Sequence, residues 1–478
     1  MENSMPFLRK PLMIAVLSSL FCSGSSFAQL DLELPEMNLP DFEHPDSQAT
    51  GNIDTPAIKR QLFRNIRRTR PLIEDAELNE WLNKLVRRLA SQTAGVGNDV
   101  FVVIENNPAI NAYALTGGII VVNSGLILST ESESELAAVL AHEIAHVAQR
   151  HLTRMHTDSR NHPLLTGLGI LAGAAVSTKS PEAAQAIITG TLAVQAQQQV
   201  IYSQQYEAEA DRVGLRILNR AHFDSNGMVT FLEKLERNES NRLGNLSKYL
   251  RSHPLTIERI SDTRSRAARL KSPPQTSVDY FYAREKLRSH YQPGHNTASK
   301  GVPAAVGQYQ QALQSLKRGH YNGVLRHLGT QTGQLAPALL IARALNGLQR
   351  FAESERLLHQ LQRQYPHHTA LTLLLAQAMA GKGDKHAAWQ LLNRVRTTEN
   401  TSLDYFEEAQ NIARQAGQQH EAILYSAERH LRLGEYRFAR LALEQSLRSN
   451  PSAADRVKLQ RKLDEVIQAK NELDYLKK

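Results

Sequence analysis

Apolar and polar positions first fall into a helical period from about Ile58 to Gln92, where WLNKLVRRLA is the clearest amphipathic piece. At Val100 the pattern changes. VFVVIE (Val100–Glu105) is dense in β-branched residues, and GGIIVVNSG (Gly117–Gly125) repeats that signal between turn residues, so both read as strands. NPAINAYAL, between them, can also run extended. Ser132 to His151 then predicts one long helix, and Ala183 to Leu218 a second helical region. SHPLTIERI (Ser252–Ile260) opens another helix after a Ser-His-Pro turn. KSPPQTSV (Lys271–Val278) reads as a boundary, followed by a charged helix from Tyr280 to His290 and a linker, QPGHNTASKGVP (Gln292–Pro303).

Beyond this point the pattern repeats. Gln349, Gly383 and Gly417 open similar stretches at a spacing of 34 residues, the tetratricopeptide period. Phe351 precedes Pro366, and Tyr436 precedes Pro451, by the same fifteen residues. Gly319 and Tyr321 open a more degenerate unit, and Val457 to Leu476 reads as a closing helix. About four helix-turn-helix repeats stacked into a solenoid are expected, with a groove suited to protein segments. An irregular helical bundle without a ligand is the plainer alternative.

Composition narrows the class. Of 478 residues 41% are hydrophobic and 22% charged, as in soluble globular protein, and the formal charge is +9. No run of five or six Lys/Arg marks a nucleic-acid arm, so the charge reads as surface character and no nucleic-acid partner is expected. Residues 1–28 differ from the rest. Arg9 and Lys10 precede a short apolar core, Leu12 to Phe21, and Ser26-Phe27-Ala28 offers small residues where a signal peptidase reads. This predicts a cleaved signal peptide, export to the periplasm, and removal of Cys22, the one cysteine. Any metal must then be held by His, Asp or Glu. Residues 29–54 are acidic and proline-rich and read as an extended leader. The most apolar later segment, Pro163 to Ser177, is too short to span a bilayer, so at most peripheral membrane contact is expected. The Gly/Ala-rich stretch from Leu164 to Ala193 could form a lid over a cleft or pack as ordinary helix.

The candidate chemistry lies in VLAHEIAHVAQRH, Val139 to His151. His142 and His146 are four apart and share a helix face, where Zn²⁺ can take one nitrogen from each. Glu143 can reach a metal-bound water as general base. A helix with two satisfied core histidines is the plainer reading, but the apolar flanks would bury those rings, and buried histidines need partners. His151 does not fit a third-ligand spacing and is expected at the surface. In YEAEAD (Tyr206–Asp211), Glu207 and Asp211 share a face. Glu207 can ligate the metal while Asp211 orients a ligand histidine through its ring N–H. Glu209 points away and is the weaker ligand.

HEIAH, then EAEAD about sixty residues on, then SHPLTIERI, together resemble the zinc metallopeptidases that include the CAAX prenyl proteases and the bacterial stress protease HtpX. In that family the first glutamate of Glu-x-x-Ala-Asp is the third ligand, here Glu207. NAYALTGGIIVVNSGL (Asn111–Leu126) resembles the family's substrate-pairing edge strand, which implicates Asn111, Ala112, Tyr113 and Ala114. The signal peptide and repeats further resemble the periplasmic members that act in β-barrel assembly. That likeness implies quality control of outer-membrane proteins. It also implies unfolded or misfolded β-barrel clients, the barrel-assembly (BAM) machinery and the lipopolysaccharide-transport barrel LptD as partners. His253 could be a fourth ligand that holds the enzyme latent, a substrate-positioning group, or a helix cap. Arg259 could stabilise an oxyanion or form a surface salt bridge.

The expectation is therefore an α+β, mainly helical protein: a zincin-type metallopeptidase domain with a small β-sheet (55–270), a linker with a short helix (271–303), and an all-α tetratricopeptide solenoid (304–478). It is expected to be a gluzincin-type zinc metalloendopeptidase with one Zn²⁺ per chain. The rival is a non-enzymatic periplasmic chaperone or adaptor on a vestigial zinc-site fold. An intact Glu143 argues against that rival, since a scaffold needs no general base.

Overall fold

Thr55 starts the first helix by accepting a hydrogen bond from the Ile58 amide, with Pro56 in the first turn, where its missing N–H has no partner to lose. The protein is described here from a computed structural model, which describes residues 55–96, 100–151, 154, 203–240, 247–270, 276–291, 302–329 and 332–475. The expected signal peptide, leader and Gly/Ala-rich lid lie outside the described residues. No helix among the described residues is long and apolar enough to cross a membrane.

The helical stretch expected from Ile58 to Gln92 is two helices, α1 (Pro56–Thr69) and α2 (Ala76–Ala90). Pro71 forces Arg70 into extended backbone and ends α1. Asp75 then caps α2 by accepting from the Glu77 and Leu78 amides. Three strands follow: β1 (Phe101–Glu105), β2 (Ala112–Leu115) and β3 (Ile119–Asn123), in the order β1-β3-β2. β1 runs parallel and β2 antiparallel to β3. Every residue of β1 and β3 is buried, which is why both read as unbroken apolar runs. The turn from β2 to β3 uses Gly117 and Gly118 at φ +80 and +75, a backbone that other residues seldom adopt. β2 lies at the sheet's edge, where a substrate-pairing strand was expected.

Then come α3 (Ser124–Ser129) and α4 (Glu133–Ala148), the latter capped by Ser132. Glu133 to Ala145 are all buried, so α4 is a core helix covered on every side. It ends three residues before the expected His151, because Arg150 turns left-handed at φ 52. Residues 203–220 form α5. α6 (Asn226–Ser240), α7 (Ser247–Ser252), α8 (Ile257–Ala267, capped by Thr256) and α9 (Val278–Tyr291) complete this half. Gly214 of α5 lies against α4: a Cβ there would sit 3.2 Å from the His142 amide nitrogen. The missing side chain lets the two helices approach closely at the motif.

The helix expected within the linker is α9. Its Tyr280 belongs to the first core and its Tyr282 to the next, against Tyr309. Five helix pairs follow among the described residues. They are α10 (Ala304–Lys317) with α11 (Tyr321–Leu328), α12 (Leu335–Gly347) with α13 (Phe351–Gln362), and α14 (Thr369–Lys382) with α15 (Lys385–Asn393). The last two are α16 (Leu403–Gln415) with α17 (Gln419–Arg432), and α18 (Tyr436–Arg448) with α19 (Ala453–Tyr475). α13, α15 and α17 start at the 34-residue spacing read from the sequence.

The first half is bound to these helices by acidic side chains at their N-termini. Glu80 accepts from the Thr369 amide at 2.9 Å and Glu74 from the Leu403 amide at 2.8 Å, each meeting the positive end of a helix. Arg67 donates to the carbonyls of Glu399 and Thr401. Gln61 bonds the Ala469 carbonyl and the Tyr436 hydroxyl. Lys286 of α9 holds Asp75 at 2.8 Å and Glu77 at 2.7 Å.

Burial alone would push the Asp75 carboxyl up, but Lys286 and Arg343 outweigh it and hold the group down at about 2. A carboxyl depressed in the folded state stabilises above its unfolded value and loses that contribution as pH falls towards the folded one. Asp75→Asn keeps the cap acceptor and removes the charge. It should cost about 2 kcal/mol in denaturant unfolding at pH 6, and the difference from wild type should close between pH 4 and pH 2. A difference that stays constant over that range would refute the assignment.

Candidate metal centre

His142 and His146 occupy successive turns of α4, and Glu207 and Asp211 successive turns of α5. The turn after α7 adds His253, and α8 adds Arg259. One donor atom each from His142, His146, Glu207 and His253 lie within 4.8 Å of one another. Individual separations are shorter. His146 Nε2 is 3.0 Å from His142 Nε2, and the two rings lie 3.3 Å from Glu207 oxygens. His253 Nδ1 is 3.1 Å from Glu207 Oε1 and 3.3 Å from His142 Nε2. Four ligands held tetrahedrally at about 2.0–2.1 Å from a zinc ion would themselves be spaced by about 3.3 Å. The donor spacing fits that polyhedron.

The charges fit as well. Glu143, Glu207 and Asp211 are 1%, 3% and 4% exposed, and Arg259, at 6%, is the cation packed among them. With neutral imidazoles, three carboxylates against one guanidinium leave two negative charges in the core, which a divalent cation would cancel. Two imidazole nitrogens 3.0 Å apart also need a proton or a metal cation between them. A proton feels the same field. Burial disfavours the charged ring of His142, but Glu207 and Asp211 prevail and raise it to about 10. His146, for which burial prevails, is lowered to about 3. Burial would raise Glu207 too, yet His253, His142 and His146 hold it well below its ordinary value.

Glu143 stands beside the cluster. Burial raises its carboxyl, which accepts from the Ala114 amide on the outer edge of β2. Its Oε1 lies 3.5 Å from His253 Nε2 and has no hydrogen-bond partner among the described residues. A buried acceptor left open next to converging metal donors is the arrangement a general base requires.

Asp211 Oδ1 lies 2.9 Å from His142 Nδ1, the contact expected of it. The orienting partner of Asp211 was not foreseen. Arg259, expected to reach an oxyanion or to form a surface salt bridge, does not pair at the surface. It is buried and grips both oxygens of Asp211 at 2.8 and 3.0 Å, with Nη1 on Glu207 at 3.0 Å and on the Pro254 carbonyl at 2.7 Å. All three of its nitrogens are committed. Thr256, not His253, caps α8, while the His253 ring stacks on Tyr249 at 4.6 Å. Glu209 is outside the cluster, on Arg154 at 3.0 Å, in line with the weaker ligand role read for it. His151 is not at the surface. It is 1% exposed, and its Nδ1 meets His146 Nδ1 at 2.9 Å. Asn111 and Ala112 are buried, Tyr113 and Ala114 partly so, at the sheet edge beside Glu143.

Comparison with known proteins agrees with this geometry. A model of peptidase family M48 matches residues 76–267. The chain is 36% identical over 270 residues to the β-barrel assembly-enhancing protease of Escherichia coli O157:H7, covering 54% of this chain and 55% of that protein. It is 35% identical over 333 residues to the protein of the same name from Yersinia pestis, covering 66% and 68%. A mitochondrial metalloendopeptidase, OMA1 of Schizosaccharomyces pombe, is 30% identical over 157 residues, covering 33% and 43%. The match thus spans little more than half the length of the Escherichia coli relative.

Arg259→Met should leave Asp211 and Glu207 buried without their cation and destabilise the metal-free protein by about 3–5 kcal/mol in denaturant unfolding. Adding Asp211→Asn should cost less than the two single changes summed. Strict additivity would contradict the clamp.

Proposed function

The chain belongs to peptidase family M48, and from that premise we propose that it is a gluzincin-type zinc metalloendopeptidase of the periplasm, acting on stalled or misfolded outer-membrane β-barrel proteins. In this reading His142, His146 and Glu207 hold one Zn²⁺, with His253 as a fourth donor in the resting state. The single observation that carries it is the convergence of four donors at metal spacing beside a buried, open carboxylate. Bound there, the metal supplies a Lewis acid for the scissile carbonyl and an acidified water as nucleophile.

The chain's own residues do the rest. Glu143 Oε1 takes the proton from the attacking water and later delivers it to the leaving amine. Its burial in an apolar helix favours the proton-bearing form between those two events. Asp211 fixes the His142 ring through Nδ1, and Arg259 fixes Asp211 and Glu207, which makes Arg259 a positioning residue. The outer edge of β2, beyond the Ala114 amide that Glu143 holds, can add an extended segment of the substrate as a further strand, putting its scissile bond alongside Glu143. His253 occupies the fourth corner of the donor set, where a water or carbonyl would enter, and so keeps the enzyme latent until it moves.

The signal peptide read at residues 1–28 supports a periplasmic location, as do relatives whose name is β-barrel assembly-enhancing protease. The 34-residue spacing of α13, α15 and α17 supports a tetratricopeptide assignment and a recruiting role for that half. Clients in this reading are unfolded β-barrel proteins, with the BAM machinery and LptD as partners. The adaptor alternative gives Glu143 nothing to do.

With an unfolded outer-membrane barrel protein as substrate, Glu143→Gln should lower cleavage by about 10²–10⁴-fold while the purified chain keeps about one zinc by mass spectrometry. Glu207→Ala should lose most of the metal. His253→Ala should keep it and cleave faster than wild type. A wild-type protein that carries zinc yet cleaves no such substrate would transfer the case to the adaptor.

A further inference from the structure

His151 lies five residues beyond His146. In an unbroken helix that step turns about 140° away, so the two rings would face different sides. Here they meet. α4 stops at Ala148, Arg150 takes a left-handed backbone at φ 52, and His151 re-enters helical backbone with its ring against His146. A non-glycine residue in that conformation is strained, and the strain persists only where the surroundings hold it.

The surroundings are specific. His151 Nδ1 is 2.9 Å from His146 Nδ1, on the side of that ring opposite the nitrogen in the donor cluster. His151 Nε2 lies 3.3 Å from Glu209 Oε2, off the axis of a good hydrogen bond, and Glu209 is in turn paired with Arg154 at 3.0 Å. The His151 ring packs on Tyr206 at 4.8 Å, and the Arg154 guanidinium covers the same Tyr206 ring at 4.8 Å. Tyr206 and Glu209 flank Glu207 on α5, so one short stretch carries both a cluster donor and the support for another.

We propose that His151 is the positioning residue for His146, fixing its tautomer and ring plane as Asp211 does for His142, with Glu209 holding His151. If His146 offers Nε2 to the metal, its Nδ1 carries the proton and donates to His151 Nδ1. His151 must then carry its own proton on Nε2, facing Glu209. The two ligand histidines of α4 are thereby oriented differently, one by a buried carboxylate and one by a neutral imidazole backed by a half-buried carboxylate. This rests on the reading of His146 as a metal ligand.

The test is zinc affinity of the mature full-length chain, by competition with a chromogenic chelator, alongside the absorption spectrum of its Co²⁺ form. His151→Phe keeps the ring on Tyr206 and removes both nitrogens. It should weaken zinc binding about 10–100-fold and shift the cobalt bands. His151→Asn puts an acceptor where Nδ1 stood and should restore most of the affinity. Glu209→Gln should weaken binding less than His151→Phe, and it serves as the variant if His151→Phe does not fold. Unchanged affinity in His151→Phe, with or without a lower Tm of the metal-free chain, would overturn the proposal, as would equal losses in the Phe and Asn variants. Wild-type protein that takes up no zinc would instead remove the metal reading beneath it.

Discussion

Burying charge is the constraint on which the catalytic half is built. Three carboxylates and a guanidinium sit inside an apolar core, and each ion left unpaired there would cost several kcal/mol. The helices therefore have little freedom in where they cross. α4 is covered on all sides and cannot turn its polar groups to water, so α5 must come close enough for Glu207 and Asp211 to meet the histidine rings. Gly214 is the residue that permits this approach, since any side chain there would press on the His142 backbone. Arg259 then completes the balance from α8. These charges without a further cation would strain the core.

The sequence made half of this legible, for a local reason. Residues four apart on a helix share a face wherever the helix goes, so His142 with His146 and Glu207 with Asp211 could be paired from spacing alone. Contacts made between elements leave no such trace. Arg259 in IERISDTR could be read as an oxyanion group or a surface ion pair, and only the crossing of α8 over α5 makes it the clamp. His151 was misread because nothing in VAQRH signals a left-handed arginine; glycine or asparagine at that position would have. The break between α1 and α2 did have a signal, an Arg-Pro followed by an Asp cap, and a reading that followed apolar period alone passed over it. The 34-residue spacing survived because it is carried by local turns, repeated.

The two halves meet through helix ends as well as through the apolar packing of α9. Glu74 and Glu80 each place a carboxylate on backbone amides at the start of a repeat helix. Such contacts are directional, and they fix register along α14 and α16 in a way that sliding apolar surfaces do not. α9 adds a second tie, with one tyrosine in each core and Lys286 reaching back to Asp75 and Glu77. The helix expected within the linker, α9, is in this way part of the joint.

From that joint a continuous set of hydrogen bonds leads to the site. Asn83 of α2 bonds Val102 of β1 in both directions, at 2.8 and 3.0 Å. β1 pairs with β3 and β3 with β2, and the outer edge of β2 gives the Ala114 amide to Glu143. Each step is short and buried, so α2 and the sheet behave as one stiff body with the carboxylate proposed as general base at its far side. The framework that positions the Glu143 carboxylate is thus braced, through Glu74 and Glu80, against the N-termini of α14 and α16.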